Sequence, residues 1–72
     1  MSPEQCRQAR IILSWSVIDL ADNADLSMET ILNFEEGAEE FVESVVASIQ
    51  MALEYGGVQF ESSELSGVKR RL

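Results

Sequence analysis

Hydrophobic residues in the first half of the chain recur at helical spacing in three short stretches, and a serine precedes each one. Ser2, Ser16 and Ser27 can each accept a hydrogen bond from a free backbone amide at the start of a helix. Pro3 suits the first helical position. These signals predict helices over residues 3–13, 16–23 and 27–36. Their inward faces are expected to comprise Cys6, Ala9, Ile12, Leu13, Leu20, Ala21, Ala24, Ile31 and Phe34.

The second half of the chain has two different hydrophobic patterns. Apolar residues spaced by three and four run from Phe41 or Val42 to Leu53, which predicts an amphipathic helix over 41–55, stopped by the Gly56-Gly57 pair. The pattern then alternates in "GVQF" and "GVKRRL". Two strands, at about 57–60 and 67–71, are therefore expected to form a hairpin. The chain is predicted to be one mainly helical domain, residues 1–72.

The net charge of the chain is the property that most restricts which functions are possible. The chain of 72 residues has thirteen Asp and Glu against five Lys and Arg, a net charge of −8. Twelve of the acidic residues lie between Ile11 and Val68, and none of the basic residues does. DNA-binding proteins draw much of their affinity from Lys and Arg that replace counterions at phosphates. A strongly acidic chain is therefore expected to repel DNA.

Composition also bounds the other chemistry. The chain has no His and a single Cys, so it offers no evident nucleophile–base pair, no internal disulfide and no four-cysteine metal site. We expect no enzyme activity, no cofactor and no metal. No stretch approaches the roughly 20 apolar residues of a membrane span, and no signal peptide is evident, so a cytoplasmic protein is expected. At this length self-association would add stability, and a homodimer is a reasonable expectation.

The segment "WSVIDLADNADLSMETILNFEEG" resembles the helix-turn-helix of small bacterial Cro/repressor-type (XRE-like) transcriptional regulators. The segments "SPEQCRQAR", "ALEYGGVQF" and "GVKRRL" extend this resemblance over nearly the whole chain. It implies a bundle of four or five helices with a short C-terminal β-hairpin. Helix 27–36 would then occupy the position of the recognition helix, which contacts DNA in this family. The matching positions in the motif are Ser16, Leu20, Ala21, Leu26, Ser27, Ile31, Phe34, Glu35 and Gly37.

The resemblance also implies one structural contact. In this family an Arg on the first helix and a Glu that closes the recognition helix commonly form a partly buried ion pair. Those positions are Arg10 and Glu35 here. The alternative is that both side chains are solvated.

The chain departs from the family where DNA would be contacted. Positions that usually carry residues able to reach phosphates and base edges are here apolar or acidic, and only Asn33 could read a base, as an amide does with adenine. An apolar centre with an acidic rim is typical of a protein-binding surface. Alternatively, Val17 or Ile18 turns inward and enlarges the core. The predicted partner-binding residues are Val17, Ile18, Asp22, Met28, Glu29, Leu32, Asn33 and Glu36.

Three functions compete at this stage. The first is an acidic helix-turn-helix protein that binds a transcription factor or another DNA-binding protein, acting as an antiactivator, an antirepressor or a DNA mimic. The second is a conventional sequence-specific DNA-binding repressor. The third is an antitoxin-like subunit whose partner supplies the cationic surface.

Overall fold

The computed structural model of the protein describes residues 1–37, 43–60 and 68–70. Within these ranges the chain forms four helices and two short strands. The helices are α1 (Pro3–Ile12), α2 (Val17–Ala24), α3 (Met28–Glu35) and α4 (Glu43–Gly56), and the strands are β1 (Val58–Phe60) and β2 (Val68–Arg70). The protein is therefore mainly helical, as the sequence predicts, and its helices form a small bundle.

Side-chain caps fix where the first two helices begin. The Ser2 hydroxyl accepts a hydrogen bond from the Gln5 amide at 3.2 Å, and the Gln5 side chain accepts one from the Ser2 amide at 2.9 Å. Ser16 and Asp19 form the same reciprocal pair at the start of α2. Each pair satisfies backbone donors that have no partner within the helix.

The helix boundaries differ slightly from the predicted ones. The predicted ranges of the second and third helices include the capping serine, whereas α2 and α3 begin one residue later, and α1 ends one residue before the predicted position. The first two residues of the predicted fourth helix lie outside the described ranges. At its other end α4 reaches Gly56, one residue further than predicted.

The core lies where α2 packs against α3 and α4, and where α1 packs against α3, α4 and β2. Its largest fully buried aliphatic side chains come from four different elements, and each contributes roughly 1.5–3 kcal/mol relative to an exposed position. They are Leu20, Ile31, Ile49, Leu53 and Val58. Because every helix supplies apolar residues to the same core, the relative positions of α2 and α3 are set by packing as well as by the turn between them.

The two strands pair antiparallel, with Val58 opposite Arg70 and Phe60 opposite Val68. Val58 and Val68 are buried, and Phe60 is half-buried against the core. Arg70 donates a hydrogen bond to the Ile12 carbonyl, which attaches β2 to the carboxyl end of α1. Residues 61–67, which would make this pair a hairpin, lie outside the described ranges, as does Leu72.

Candidate functional site

A tight turn joins α2 to α3. Asp25 caps α2 in the left-handed conformation (φ 58°, ψ 44°), as its residue type allows at lower cost than most. The Leu26 amide then donates to the Ala21 carbonyl at 2.9 Å. Ser27 begins the next helix by accepting a hydrogen bond from the Thr30 amide at 3.2 Å. The direction of α3 relative to α2 is therefore fixed by local hydrogen bonds.

The outward side of this helix pair is apolar and acidic. Ile18 is 57% exposed, Met28 46% and Leu32 40%. The four polar residues predicted for the same surface, Asp22, Glu29, Asn33 and Glu36, are also exposed. On α3 the spacing of residues 28, 29, 32, 33 and 36 places them along one side of the helix. We call the exposed residues Ile18, Asp22, Met28, Glu29, Leu32, Asn33 and Glu36 the α2–α3 face.

Val17 takes a different position from the one expected for a partner-binding residue. It is half-buried and packs against the core, whereas its neighbour Ile18 points to solvent. Val17, and not Ile18, is therefore the residue that enlarges the core. The exposed apolar part of the α2–α3 face consists of Ile18, Met28 and Leu32.

Acidic side chains stand at helix ends where they are electrostatically unfavourable. A helix carries partial negative charge at its carboxyl end, which favours Lys or Arg there. The last turn of α2 and that of α3 have no basic residue. Instead Asp22 and Asp25 stand at the end of α2, and Glu36 caps α3. The left-handed conformation accounts for an Asp at position 25, whereas the helix dipole does not favour the carboxylates of Asp22 and Glu36.

Glu35 faces the other way, into the protein, and is held by α1. Arg10 donates from Nε to Glu35 Oε2 at 2.8 Å and from Nη2 to Oε1 at 2.9 Å. The predicted contact between these residues is therefore present in the structure. Glu35 is only 6% exposed. Its hydrogen bonds raise the pKa of the Arg10 guanidinium above its ordinary value and so favour the charged form of that group.

Two further residues of α1 complete this network, and sequence reasoning did not assign either of them to it. Arg7 donates to the Glu35 backbone carbonyl at 2.8 Å and to the Glu4 carboxylate at 2.7 Å. The Cys6 thiol, which is fully buried, lies 3.5 Å from Glu35 Oε2. Burial, followed by the Glu35 charge and the hydrogen bond to it, raises the pKa of Cys6 to about 12.

In the part of the chain that the structure describes, these contacts hold the arginine side chains away from the α2–α3 face. Arg7 and Arg10 are bound to the end of α3 and to Glu4, and Arg70 to the end of α1. Neither α2 nor α3 contains a Lys or Arg. The α2–α3 face therefore presents carboxylates, one amide and apolar side chains, and no cation of its own.

A second exposed apolar region lies on α4, which packs against α2. Met51 is 64% exposed and Tyr55 95%. They border a groove of about 400 Å³ between α2 and α4. We call its lining, Asn23, Ala24, Ser48, Met51, Ala52 and Tyr55, the α2–α4 groove. Sequence reasoning missed it, although Met51 and Tyr55 are one helical turn apart and fall outside the core-facing set Ile49 and Leu53.

The described residues contain no group of three or more His, Cys, Asp or Glu side chains placed to hold a metal ion. None of the helices in the described ranges is long and apolar enough to cross a membrane. The chain matches no protein-family model and no curated protein sequence.

Proposed function

We propose that the protein is a small regulatory protein of the helix-turn-helix type, not an enzyme, that acts by binding another protein through the α2–α3 face. The observation that carries this proposal is the exposure of Ile18, Met28 and Leu32 among carboxylates. Apolar residues surrounded by charge are a typical composition for a protein-binding surface. Methionine adds a flexible side chain that adapts to the shape of a partner.

The charge of the face selects the class of partner. Carboxylates accelerate and orient the encounter with a basic surface, and such association weakens as salt rises. Proteins that bind DNA carry basic surfaces of this kind. We therefore propose a transcription factor or another DNA-binding protein as the partner, with the acidic face occupying the surface that DNA would otherwise contact. This would make the chain an antiactivator or an antirepressor.

The decisive experiment compares partner capture by three forms of the protein. Wild type, a Met28→Ser/Leu32→Ser variant and an Ile11→Ser variant are tagged and incubated with lysate of the source cells, and bound proteins are identified by mass spectrometry. Ile11 is a suitable control because it is 65% exposed and lies on α1, outside the face. Circular dichroism must show that all three forms are folded.

We expect a DNA-binding protein that wild type and Ile11→Ser retain and the double variant loses. Titration calorimetry with that purified partner should then show affinity weakened about tenfold or more by the double substitution, as for residues at the centre of an interface. Affinity should also fall as salt rises. Retention of the partner by the double variant would show that another surface is used.

A conventional DNA-binding repressor is the second candidate, and the exposure of Asn33 on α3 favours it. An Asn amide can pair with both hydrogen-bonding positions of an adenine edge. The test is an electrophoretic mobility shift at low salt on DNA flanking the gene of this protein. A sequence-dependent shift that Asn33→Ala removes would support the repressor and contradict the protein-binding proposal.

A further inference from the structure

Two exposed carboxylates of the α2–α3 face are regularly placed on α3. Glu29 and Glu36 are seven residues apart, which is almost two full helical turns. Glu36 has a right-handed backbone (φ −82°, ψ −2°), so it continues the path of the helix. The two positions therefore lie one above the other, roughly 10 Å apart along the helix axis. Together they form a line of negative charge parallel to α3.

The exposed apolar residues of α3 form a second line beside the first. Met28 and Leu32 are four residues apart and are 46% and 40% exposed. Each residue of a helix is rotated by about 100° from the one before it. By this rotation the apolar pair lies between the buried side of the helix, which Ile31 and Phe34 define, and the line of carboxylates. The charge thus lies directly beside the exposed apolar surface.

Two parallel lines of this kind match a second helix that lies alongside α3. In pairs of helices, apolar residues spaced by three and four fill the contact, and charged residues beside them, spaced by seven, select the partner. A β-strand presents residues on one side about every 6.7 Å, a repeat that does not match the spacing of the two carboxylates. A helix repeats its side chains at the same spacing as α3.

The helix that fits must carry cations, and this chain does not offer them on a free helix. The helices α2, α3 and α4 contain no Lys or Arg. On α1, Arg7 and Arg10 are already bound to Glu4 and Glu35. A second copy that docked through its α3 would bring like charges together. A helix of a different protein with Lys or Arg beside an apolar stripe would meet opposite charge.

We propose that the α2–α3 face binds an α-helix of its partner, which lies along α3. The apolar side of that helix covers Met28 and Leu32, and its Lys or Arg residues, seven apart, stand opposite Glu29 and Glu36. This helix site rests on the proposed function, because it names the part of the partner that the face receives. A basic surface of another shape would be attracted by the same net charge but would not depend on where its cations stand.

The test uses defined helical peptides as probes. The first is a fluorescent peptide of about 14 residues, or four turns, with Leu at positions i, i+4 and i+7. It carries Lys on both flanks of the Leu stripe, at two positions seven residues apart on each flank, so that either direction of the helix is allowed. A matched peptide has the same composition with every Lys on the side opposite the Leu stripe. A third peptide has Glu in place of each flanking Lys.

Two charge-reversed proteins accompany the wild type. Glu29→Lys/Glu36→Lys reverses the line of charge on α3. Glu4→Lys/Glu43→Lys makes the same change in net charge at exposed positions of α1 and α4, outside the α2–α3 face. Circular dichroism and thermal unfolding establish that each protein is folded. Binding is followed by fluorescence anisotropy and located by amide chemical shifts of the isotope-labelled protein.

We expect the peptide with flanking Lys to shift the amides of α3 and to bind about threefold to tenfold more tightly than the matched peptide, as two exposed ion pairs would allow. The net charge of the two peptides is equal, so this difference isolates the placement of the cations. The Glu peptide should bind Glu29→Lys/Glu36→Lys, but neither wild type nor Glu4→Lys/Glu43→Lys.

Equal affinity for the two Lys peptides would reveal only non-specific attraction and overturn the helix site. No shift of the α3 amides at millimolar peptide would overturn it as well. The capture experiment judges the proposed function separately. If Met28→Ser/Leu32→Ser loses the captured partner while the peptides fail, the face binds a protein by something other than a helix. If that double variant keeps the partner, the face itself is wrong.

Discussion

Arg10 holds Glu35 through two parallel hydrogen bonds, Nε to Oε2 at 2.8 Å and Nη2 to Oε1 at 2.9 Å. Since Arg10 belongs to α1 and Glu35 ends α3, this pair fixes the carboxyl end of the helix that carries most of the α2–α3 face. The Glu35 side chain is 6% exposed and that of Arg10 17%. Removal of one partner would leave the other charge with little access to water.

Arg10→Met is therefore expected to destabilise the protein by about 3 kcal/mol, near the lower end of the range for breaking a buried pair. Urea unfolding followed by circular dichroism measures this loss. A double variant, Arg10→Met/Glu35→Leu, should lose less than Arg10→Met because it no longer buries a carboxylate that has lost its close partner and keeps only Arg7, whose Nε is 4.0 Å from Glu35 Oε1.

The exposed pair between Arg7 and Glu4 is the control. Its two charged groups are 2.7 Å apart, but their side chains are 42% and 65% exposed. Glu4→Gln should cost at most about 1 kcal/mol. A similarly small loss for Arg10→Met would mean that the buried pair does not fix α3.

Gly56 allows the indole of Trp15 to approach α4. A Cβ atom added at Gly56 would stand 2.7 Å from Trp15 Cη2 and 2.9 Å from Leu13 Cδ1, closer than atoms can pack. In a helix, Ala is favoured over Gly by about 1 kcal/mol. Overpacking typically costs 1–3 kcal/mol, so we expect Gly56→Ala to destabilise the protein by about 1 kcal/mol and to change the fluorescence of Trp15, its only tryptophan.

Gly37 offers the comparison for this substitution. It has a φ of 86° and no atom within 4 Å of an added Cβ. Gly37→Ala should therefore cost roughly 1 kcal/mol through backbone strain alone, with unchanged tryptophan emission. If Gly56→Ala left the emission unchanged and raised stability, the close approach of Trp15 would not matter for folding.

The features that sequence predicts best are those that depend on near neighbours in the chain. The caps of Ser2, Ser16 and Ser27 require only residues within one turn, and all three are present in the structure. The buried side of α3 follows in the same way from the spacing of Ile31 and Phe34.

Features that depend on how helices approach one another could not be derived. Val17 and Ile18 are adjacent and similarly apolar, so only the rotation of α2 against the core decides which is buried. The sequence predicts that Gly56-Gly57 ends the fourth helix, and α4 does end at Gly56. The close contacts of Gly56 with Trp15 and Leu13, far away in sequence, could not be predicted. The α2–α4 groove exists only once two helices are packed side by side.

The buried thiol of Cys6 is expected to make the protein less stable as the pH becomes alkaline. Its pKa in the folded protein is about 12, above the ordinary value of 9.0. Because the folded state favours the neutral thiol, this contribution to stability is fully present below about pH 9. It is lost as the pH rises from there toward 12, by at most roughly 1.4 kcal/mol per pH unit.

The measurement compares wild type with Cys6→Ala in urea at several pH values. Other groups titrate equally in both proteins, so the difference in unfolding free energy isolates the thiol. We expect the advantage of wild type at neutral pH to shrink above about pH 9. A constant difference up to pH 11 would mean that the thiolate is tolerated beside Glu35. Native Cys6 should also react with thiol reagents only as the protein unfolds.

Glu36 provides a test of whether the acidity of the α2–α3 face has a function. It caps the carboxyl end of α3, where its charge opposes the helix dipole, whereas Glu29 lies in the first turn of the same helix, where its charge is favourable. Glu36→Gln should therefore stabilise the protein by about 0.3–1 kcal/mol, and Glu29→Gln should destabilise it by a similar amount.

Partner binding should respond differently from stability. If both carboxylates attract a basic partner, each substitution slows association and reduces its dependence on salt, so Glu36→Gln gains stability and loses binding. Thermal unfolding and association kinetics of the same samples separate the two effects. A Glu36→Gln protein that was more stable and associated as fast as wild type would show that the acidic cap lowers stability without serving binding. The binding proposal would then rest on Ile18, Met28 and Leu32 alone.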